Sequence, residues 1–349
     1  MNIRRLVKPN IRGLKAYRAE EIPCRIKLDA NESPYGFSAL RSVRANRYPD
    51  PEAKTLRGLA AREFRVRPEN ILHGNGSDEL IYNLIATFGG PTAYPVPTFS
   101  MYGILSQTLN EAGIEVPLDG EFDLDTERFL EVIKKRKPKL IFLSSPNNPT
   151  GNCFSADRVL EIIKASKGMV VVDEAYQPFS GRNEFLPLLG KYGNLVILRT
   201  LSKIGLAGLR VGFMMAGTDI INEVNKVRLP FNLNSLSQHV AAEALKNRER
   251  MRSHIRSVVS ERKKLFKEMK NTEGIEPYPS QANFILFRIR GNAGSVSGNR
   301  RAADRIYEGL LHKGILVRNM KGIFDGCLRV TVGTPGENAA FLKALRQLL

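Results

Sequence analysis

Between residues 70 and 216 short apolar runs alternate with helical patterns, and that alternation restricts the possible folds more than any other feature of the chain. Asn70-Ile-Leu-His73, the run beginning at Thr92, Lys139-Leu-Ile-Phe-Leu143, Met169-Val-Val-Val-Asp173 and Asn194-Leu-Val-Ile-Leu198 read as short buried strands. Helical patterns cover 52–65, the stretch after Glu79 and 155–167. Strands without a polar face, separated by helices, predict an α/β fold with a mostly parallel sheet covered on both sides. In an open sheet of that kind, ligands bind beyond the carboxyl ends of the strands.

At 349 residues the length suits about two domains. The expected division is a basic N-terminal arm over 1–30, a large domain over 31–235 and a smaller α+β domain over 236–349. The last region opens on a long helical pattern over 236–271. It continues with strands at Asn283–Phe287, Gly314–Arg318 and Cys327–Val332 and helices near 301–312 and 336–349, with Gly291–Arg300 as a flexible loop. No apolar run reaches the ~18 residues of a membrane span, and the N-terminus lacks the apolar core of a secretory signal. The three cysteines, Cys24, Cys153 and Cys327, stand far apart, which favours reduced thiols in a cytoplasm and no metal site. The formal net charge is +18, yet its densest stretch, 247–270, mixes both signs. A solvated surface with a site for small anions accounts for this better than nucleic-acid binding.

The chemistry concentrates in Arg199-Thr-Leu-Ser-Lys-Ile-Gly-Leu-Ala-Gly-Leu-Arg210. A lysine buried between strands and beside a second cation loses its proton more easily, and a neutral amine can form a Schiff base. Thr200, Ser202 and Arg210 are donors suited to a phosphate. Lysine plus phosphate donors suggests pyridoxal 5′-phosphate; an ordinary surface lysine is the plain alternative. Gly74-Asn-Gly76-Ser77-Asp78-Glu79 before a helix is either an anion cradle or a plain N-cap. Phe99 can stack on a flat ring or simply fill the core. Asp173 ends an apolar strand, where an acid needs a partner. Asn148 lies in a loop held by two prolines, Tyr48 in a rigid Pro-rich turn, and Tyr17 in the basic arm, where packing is the simplest role.

Five pieces stand in one order: Gly76-Ser-Asp-Glu, Ser145-Pro-Asn-Asn-Pro-Thr-Gly151, Asp173-Glu-Ala-Tyr176, Thr200-Leu-Ser-Lys203 and Gly208-Leu-Arg210. Together they resemble the fold-type I pyridoxal-phosphate aminotransferases, with the aspartate aminotransferase-like fold. More narrowly the chain is similar to the histidinol-phosphate aminotransferases, through Asp29-Ala-Asn31-Glu32, Arg47-Tyr48-Pro49, Arg318 and Leu328-Arg329-Val-Thr-Val-Gly333. The resemblance runs from Tyr17 to Gly333.

The resemblance implies a role for each residue. Lys203 would be the Schiff-base lysine and the proton carrier, and Asp173 would pair with the ring nitrogen. Tyr176 and Asn148 would bond the ring O3′, and Phe99, often Tyr in relatives, would cover the ring face. Amides at Ser77 and Asp78, the hydroxyls of Thr200 and Ser202, and Arg210 would take the phosphate. The Asp78 carboxylate would stay out of that contact. Arg329, with Arg318, Tyr17 and Asn31, would bind either a substrate carboxylate or a substrate phosphate. Tyr48 would reach the cofactor phosphate of a second subunit in a homodimer. The Lys203–Arg210 step is seven residues where relatives have eight, a shortening that Gly205 and Gly208 are expected to absorb. Alternative activities are an aromatic transaminase or a threonine-phosphate decarboxylase. A DNA-binding regulator is a remote alternative, with about 30 residues before the first motif leaving little room for a winged helix.

Overall fold

The computed structural model describes residues 24–28, 31, 34–35, 48–290 and 296–349. In chain order the first elements are β1 (Ile26–Lys27), α1 (Lys54–Phe64), β2 (Ile71–Asn75), α2 (Ser77–Phe88), β3 (Thr92–Val96), α3 (Met101–Thr108) and β4 (Gly113–Pro117). Next come α4 (Thr126–Arg136), β5 (Leu140–Ser144), α5 (Ala156–Ala165), β6 (Met169–Asp173), α6 (Gln177–Ser180), β7 (Leu195–Thr200) and β8 (Val211–Met215). The chain then forms α7 (Thr218–Asn225), α8 (Ser235–Lys246), α9 (Arg248–Lys270), β9 (Ile275–Pro277), β10 (Phe284–Ile289) and α10 (Val296–His312). It ends with β11 (Ile315–Leu316), β12 (Arg318–Asn319), β13 (Cys327–Thr331) and α11 (Pro335–Leu348).

Seven strands form one sheet in the order β2-β8-β7-β6-β5-β3-β4. Only β8 runs against its neighbours β2 and β7, so the predicted mostly parallel sheet is present. Residues along the central strands alternate between two apolar cores. Ile141, Leu143, Val170, Val172, Leu195 and Ile197 pack on one side with α1 and α5. Phe142, Val171, Val196 and Leu198 pack on the other with α2 and α7. Both faces are therefore buried, which is why these strands read as continuous apolar runs.

A four-stranded antiparallel sheet, β12-β13-β10-β9, forms from the C-terminal part of the chain and packs with α9, α10 and α11. β1 pairs in parallel with β11, which fastens Ile26–Lys27 to this part of the molecule.

Several expectations change in detail. The helix expected over 236–271 is two helices, because Asn247 leaves the helical region (φ −94°, ψ 51°) and turns its side-chain amide back onto the Glu243 carbonyl. The loop expected over Gly291–Arg300 is helical from Val296, while 291–295 lie outside the described residues. The strand expected at Gly314–Arg318 divides between two sheets as β11 and β12. β4 and β9 went unread. β4 is an edge strand whose residues alternate between buried and exposed, so it lacks the apolar run that marks its neighbours.

One close approach ties the sheet to the turn after β2. A Cβ built on Gly212 of β8 would fall 2.6 Å from backbone atoms of both Gly76 and Ser77. Glycine at 212 lets this turn sit directly against the sheet.

Candidate active site

The carboxyl ends of the parallel strands meet at one cleft. β6 ends at Asp173, β7 at Thr200, β5 at Ser144 and β2 at Asn75, just before the Gly76-Ser77 turn. Because β8 runs the other way, its start also lies at this end and delivers Arg210. The cleft is lined by Ser77, Asp78, Phe99, Ser144, Asn148, Asp173, Ala175, Tyr176, Thr200, Ser202, Lys203 and Arg210. All but Ser144 and Ala175 are among the residues that the sequence singles out.

Asp173 forms the buried floor. Its Oδ1 accepts the Ala175 N–H at 3.1 Å, and its Oδ2 accepts the Tyr102 hydroxyl at 2.8 Å. Burial pushes its pKa up to about 6, while the Tyr102 and Ala175 bonds and the positive Lys203 pull it down. Tyr102 is a contact of this acid that the sequence does not reveal. It stands one helical turn after Phe99, fully buried, and a buried tyrosine hydroxyl needs a partner. Next to Asp173, Glu174 forms a buried ion pair with Arg199 at 2.7 Å, joining the ends of β6 and β7.

Lys203 follows β7 in a short 3-10 turn and is half-buried, its Nζ 5.7 Å from the centre of the Tyr176 ring. The Tyr176 hydroxyl accepts an N–H from the Asn31 side chain at 3.1 Å. Asn31 itself is buried in the left-handed region (φ 54°) and is held by Thr331 and Asn283. Asparagine tolerates that conformation better than most residues. Asn31 was expected at the substrate anion; its described contacts place its amide on Tyr176.

At the anion end, Gly76 (φ 84°) precedes α2, and a Cβ there would collide with the Arg210 guanidinium at 2.4 Å. Arg210 reaches Ser202 Oγ at 3.4 Å and Asp78 Oδ2 at 2.9 Å. The Asp78 carboxylate thus pairs with the arginine expected at the phosphate, and the Asp78 amide lies in the first turn of α2, at the positive end of the helix. Thr200 Oγ1 donates to the Val211 carbonyl at 3.1 Å and shares a hydrogen bond with the Ser202 hydroxyl at 2.9 Å. In the short Lys203–Arg210 link Gly205 takes φ 101°, but Gly208 needs no such freedom; Arg210 itself adopts φ 53° instead. A left-handed arginine is uncommon, and such residues cluster at functional sites.

The neighbouring asparagines divide their tasks. Asn147 is fully buried and braces the loop through Pro97, Thr98 and Thr150. Asn148 lines the cleft and accepts a bond from Arg329 Nη1. Arg329 is buried, with its guanidinium 5.0 Å from the centre of the Phe284 ring. Arg318 is its direct partner across the β12–β13 pair. Like charges directly opposite destabilise a sheet. Arg318 is exposed. Tyr17 lies outside the described residues, and Tyr48 projects into solvent with 83% of its surface exposed.

The sequence matches the family model for aminotransferase class I and II over residues 16–345. The chain belongs to that family. A histidinol-phosphate aminotransferase of Aquifex aeolicus is 44% identical, with 98% of each chain covered. That of Caldanaerobacter subterraneus subsp. tengcongensis is 39% identical, with 99% of each covered. The histidinol-phosphate aminotransferase of Sinorhizobium meliloti, solved with pyridoxal-5′-phosphate, superposes with a TM-score of 0.86 at 22% identity, covering 98% of this chain and 97% of that one. At that identity the likeness carries the fold alone, and the fold is that of the class I and II aminotransferases.

The cleft of this aminotransferase fits pyridoxal phosphate by its donor set. A buried acid stands at its floor, an amine beside a phenol, and a glycine turn with hydroxyls and an arginine at the anion end. Among the described residues no cluster of His, Cys, Asp and Glu is arranged to hold a metal ion, and no helix is long and apolar enough to cross a membrane.

In the cofactor-free protein the raised Asp173 pKa costs stability at neutral pH. The folded form holds the proton up to about pH 6 and the unfolded form only to about 4, so this contribution is lost as pH rises through that window. A displacement of about two units corresponds to roughly 3 kcal/mol. Asp173→Asn should therefore stabilise the cofactor-free protein at pH 7 by up to about that amount, and by almost nothing at pH 4. Urea unfolding at both pH values measures it; equal differences at the two would contradict the burial argument.

Proposed function

We propose that this chain is a pyridoxal-phosphate-dependent histidinol-phosphate aminotransferase, exchanging the amino group between histidinol phosphate and 2-oxoglutarate. The observation that carries the reading is a single cleft joining Lys203, Asp173 and the Arg210 anion end, with the Arg329 site connected to it through Asn148. The full-length relatives of the same name support the choice of substrate.

When bound, pyridoxal phosphate supplies an electron-withdrawing ring that accepts charge from the substrate carbon. The remaining work falls to the chain. Lys203 Nζ takes the proton from the substrate carbon and returns it on the other side of the exchange. Asp173, as a carboxylate, would keep the ring nitrogen protonated. Tyr176, oriented by Asn31, and Asn148 would bond the ring oxygen O3′, and Phe99 would cover a ring face. The amides of Ser77 and Asp78, with Thr200, Ser202 and Arg210, would hold the cofactor phosphate.

Arg329 selects the substrates. Its planar fork suits a carboxylate or a phosphate equally, which one site must do if glutamate and histidinol phosphate take turns. Arg318 adds a second positive charge from the neighbouring strand, and Tyr17 is assigned to the same site by resemblance.

Homodimerisation completes the reading. Tyr48 stacks on Phe231 with ring centres 4.8 Å apart, and the chain around Phe231 also exposes Val227, Leu229 (70%) and Leu236. Arg228 fixes this platform from beneath by bonding Pro51 and Glu52. An apolar group of this kind suits a protein–protein contact. From it, Tyr48 would extend to the cofactor phosphate of the second copy.

Purified protein given histidinol phosphate and 2-oxoglutarate should form glutamate, and Lys203→Ala should abolish it. Release of CO2 from threonine phosphate without glutamate formation would assign the decarboxylase activity instead. Arg329→Leu should raise KM for glutamate and for histidinol phosphate alike, by about tenfold or more for a lost charged hydrogen bond; a rise for only one of them refutes the shared site. Sedimentation should give twice the chain mass, and Leu229→Glu should lower it toward that of a single chain. A wild-type protein that is monomeric yet fully active would sink the dimer.

A further inference from the structure

We propose that Tyr102 is a positioning residue for the reaction, whose hydroxyl keeps the Asp173 carboxylate ionised and aimed at the ring nitrogen of the cofactor. The inference rests on the pyridoxal-phosphate reading above and adds a residue to it.

The geometry is closed on all sides. Tyr102 is fully buried, stacked on Phe142 (ring centres 5.0 Å apart, planes 8° apart) and edge-on to Phe99 at 5.6 Å. Its ring therefore cannot swing, and its hydroxyl is fixed on Asp173 Oδ2 at 2.8 Å. Asp173 Oδ1 takes the Ala175 N–H, so two donors anchor the carboxylate from behind while it lines the cleft. Phe99, the proposed wall of the ring, and Tyr102 come from one short segment around the start of α3. The ring face and the acid are thus located by the same piece of chain.

The chemistry requires such a donor. A carboxylate out of water takes up a proton unless its charged form is hydrogen-bonded. Once protonated, Asp173 can no longer favour a proton on the ring nitrogen. The charges around it do not settle the matter. Lys203 favours the ionised form, while Asp78 across the cleft opposes it. Glu174, on the same strand end, is neutralised by Arg199. Tyr176 and Tyr94 flank Tyr102. Burial and the adjacent carboxylate push the Tyr102 phenol well above its ordinary range, so it remains an O–H donor throughout the working range.

The test is Tyr102→Phe, which keeps the ring and its stacking and removes one hydroxyl. In the cofactor-free protein, carbon-13 NMR of labelled aspartate carboxylates, with Asp173→Asn identifying the signal, should show Asp173 titrating about one unit higher or more. In the holoenzyme kcat should fall about tenfold with KM changed less than about twofold, and the acidic limb of the kcat profile should move to higher pH. Phe142→Leu serves as the packing control: it loosens the same stack but retains the hydroxyl, and should lower the unfolding temperature without moving the acidic limb. An unmoved Asp173 titration and acidic limb in Tyr102→Phe, with cofactor still bound, overturns this role alone. So does an equal shift in Phe142→Leu. Failure of the wild-type protein to take up pyridoxal phosphate overturns the proposed function and this role together.

Discussion

The hydrogen-bonded register of β5, β6 and β7 is the constraint from which the site follows. It pairs Ser144 with Asp173 and Asp173 with Leu198, so the three strands stop at nearly one level. The buried Glu174–Arg199 pair then closes β6 onto β7 just past the last backbone bonds. A slip of one residue would turn every side chain to the opposite face and send Asp173 into the packing layer. The apolar fill on both faces makes such a slip costly, and a fold stabilised far from the cleft thereby fixes the position of an acid within it.

Polarity in the cleft is graded with depth. The acid and its phenol are at the bottom, away from water, and Lys203 is half-buried above them. The Arg210–Asp78 pair is at the mouth, where solvent screens it. This order suits a ligand whose nitrogen enters first and whose charged group stays near water. The tie between Arg329 and Asn148 brings the C-terminal sheet to the same cleft. In the proposed reading, the cofactor end and the substrate end of the cleft would be coupled through one asparagine loop.

The residues that were legible in the sequence are those whose chemistry conflicts with their surroundings. Asp173 ends an all-apolar strand, Lys203 sits in a hydroxyl-rich turn, and Gly76 precedes a helix start; each stands out against its neighbours. Tyr102 did not, because an aromatic at the start of a helix looks like ordinary core, and only its hydroxyl partner, 71 positions away, shows otherwise. Asn147 and Asn148 cannot be told apart by type; the bracing contacts of the first come from the segment around Pro97. The reversed direction of β8 and the division of β11 from β12 depend on partners distant in the chain. Local patterning carries none of that information.

The bare backbone at Gly212 makes two distant segments depend on each other. Its missing side chain is the space occupied by the Gly76-Ser77 turn. The two segments therefore hold each other in place. A methyl group at 212 can be accommodated only if the turn retreats, and a retreating turn carries its amides away from the cleft. Within this architecture, the smallest residue in β8 sets where the turn proposed to meet the cofactor phosphate can stand, although it does not itself line the cleft.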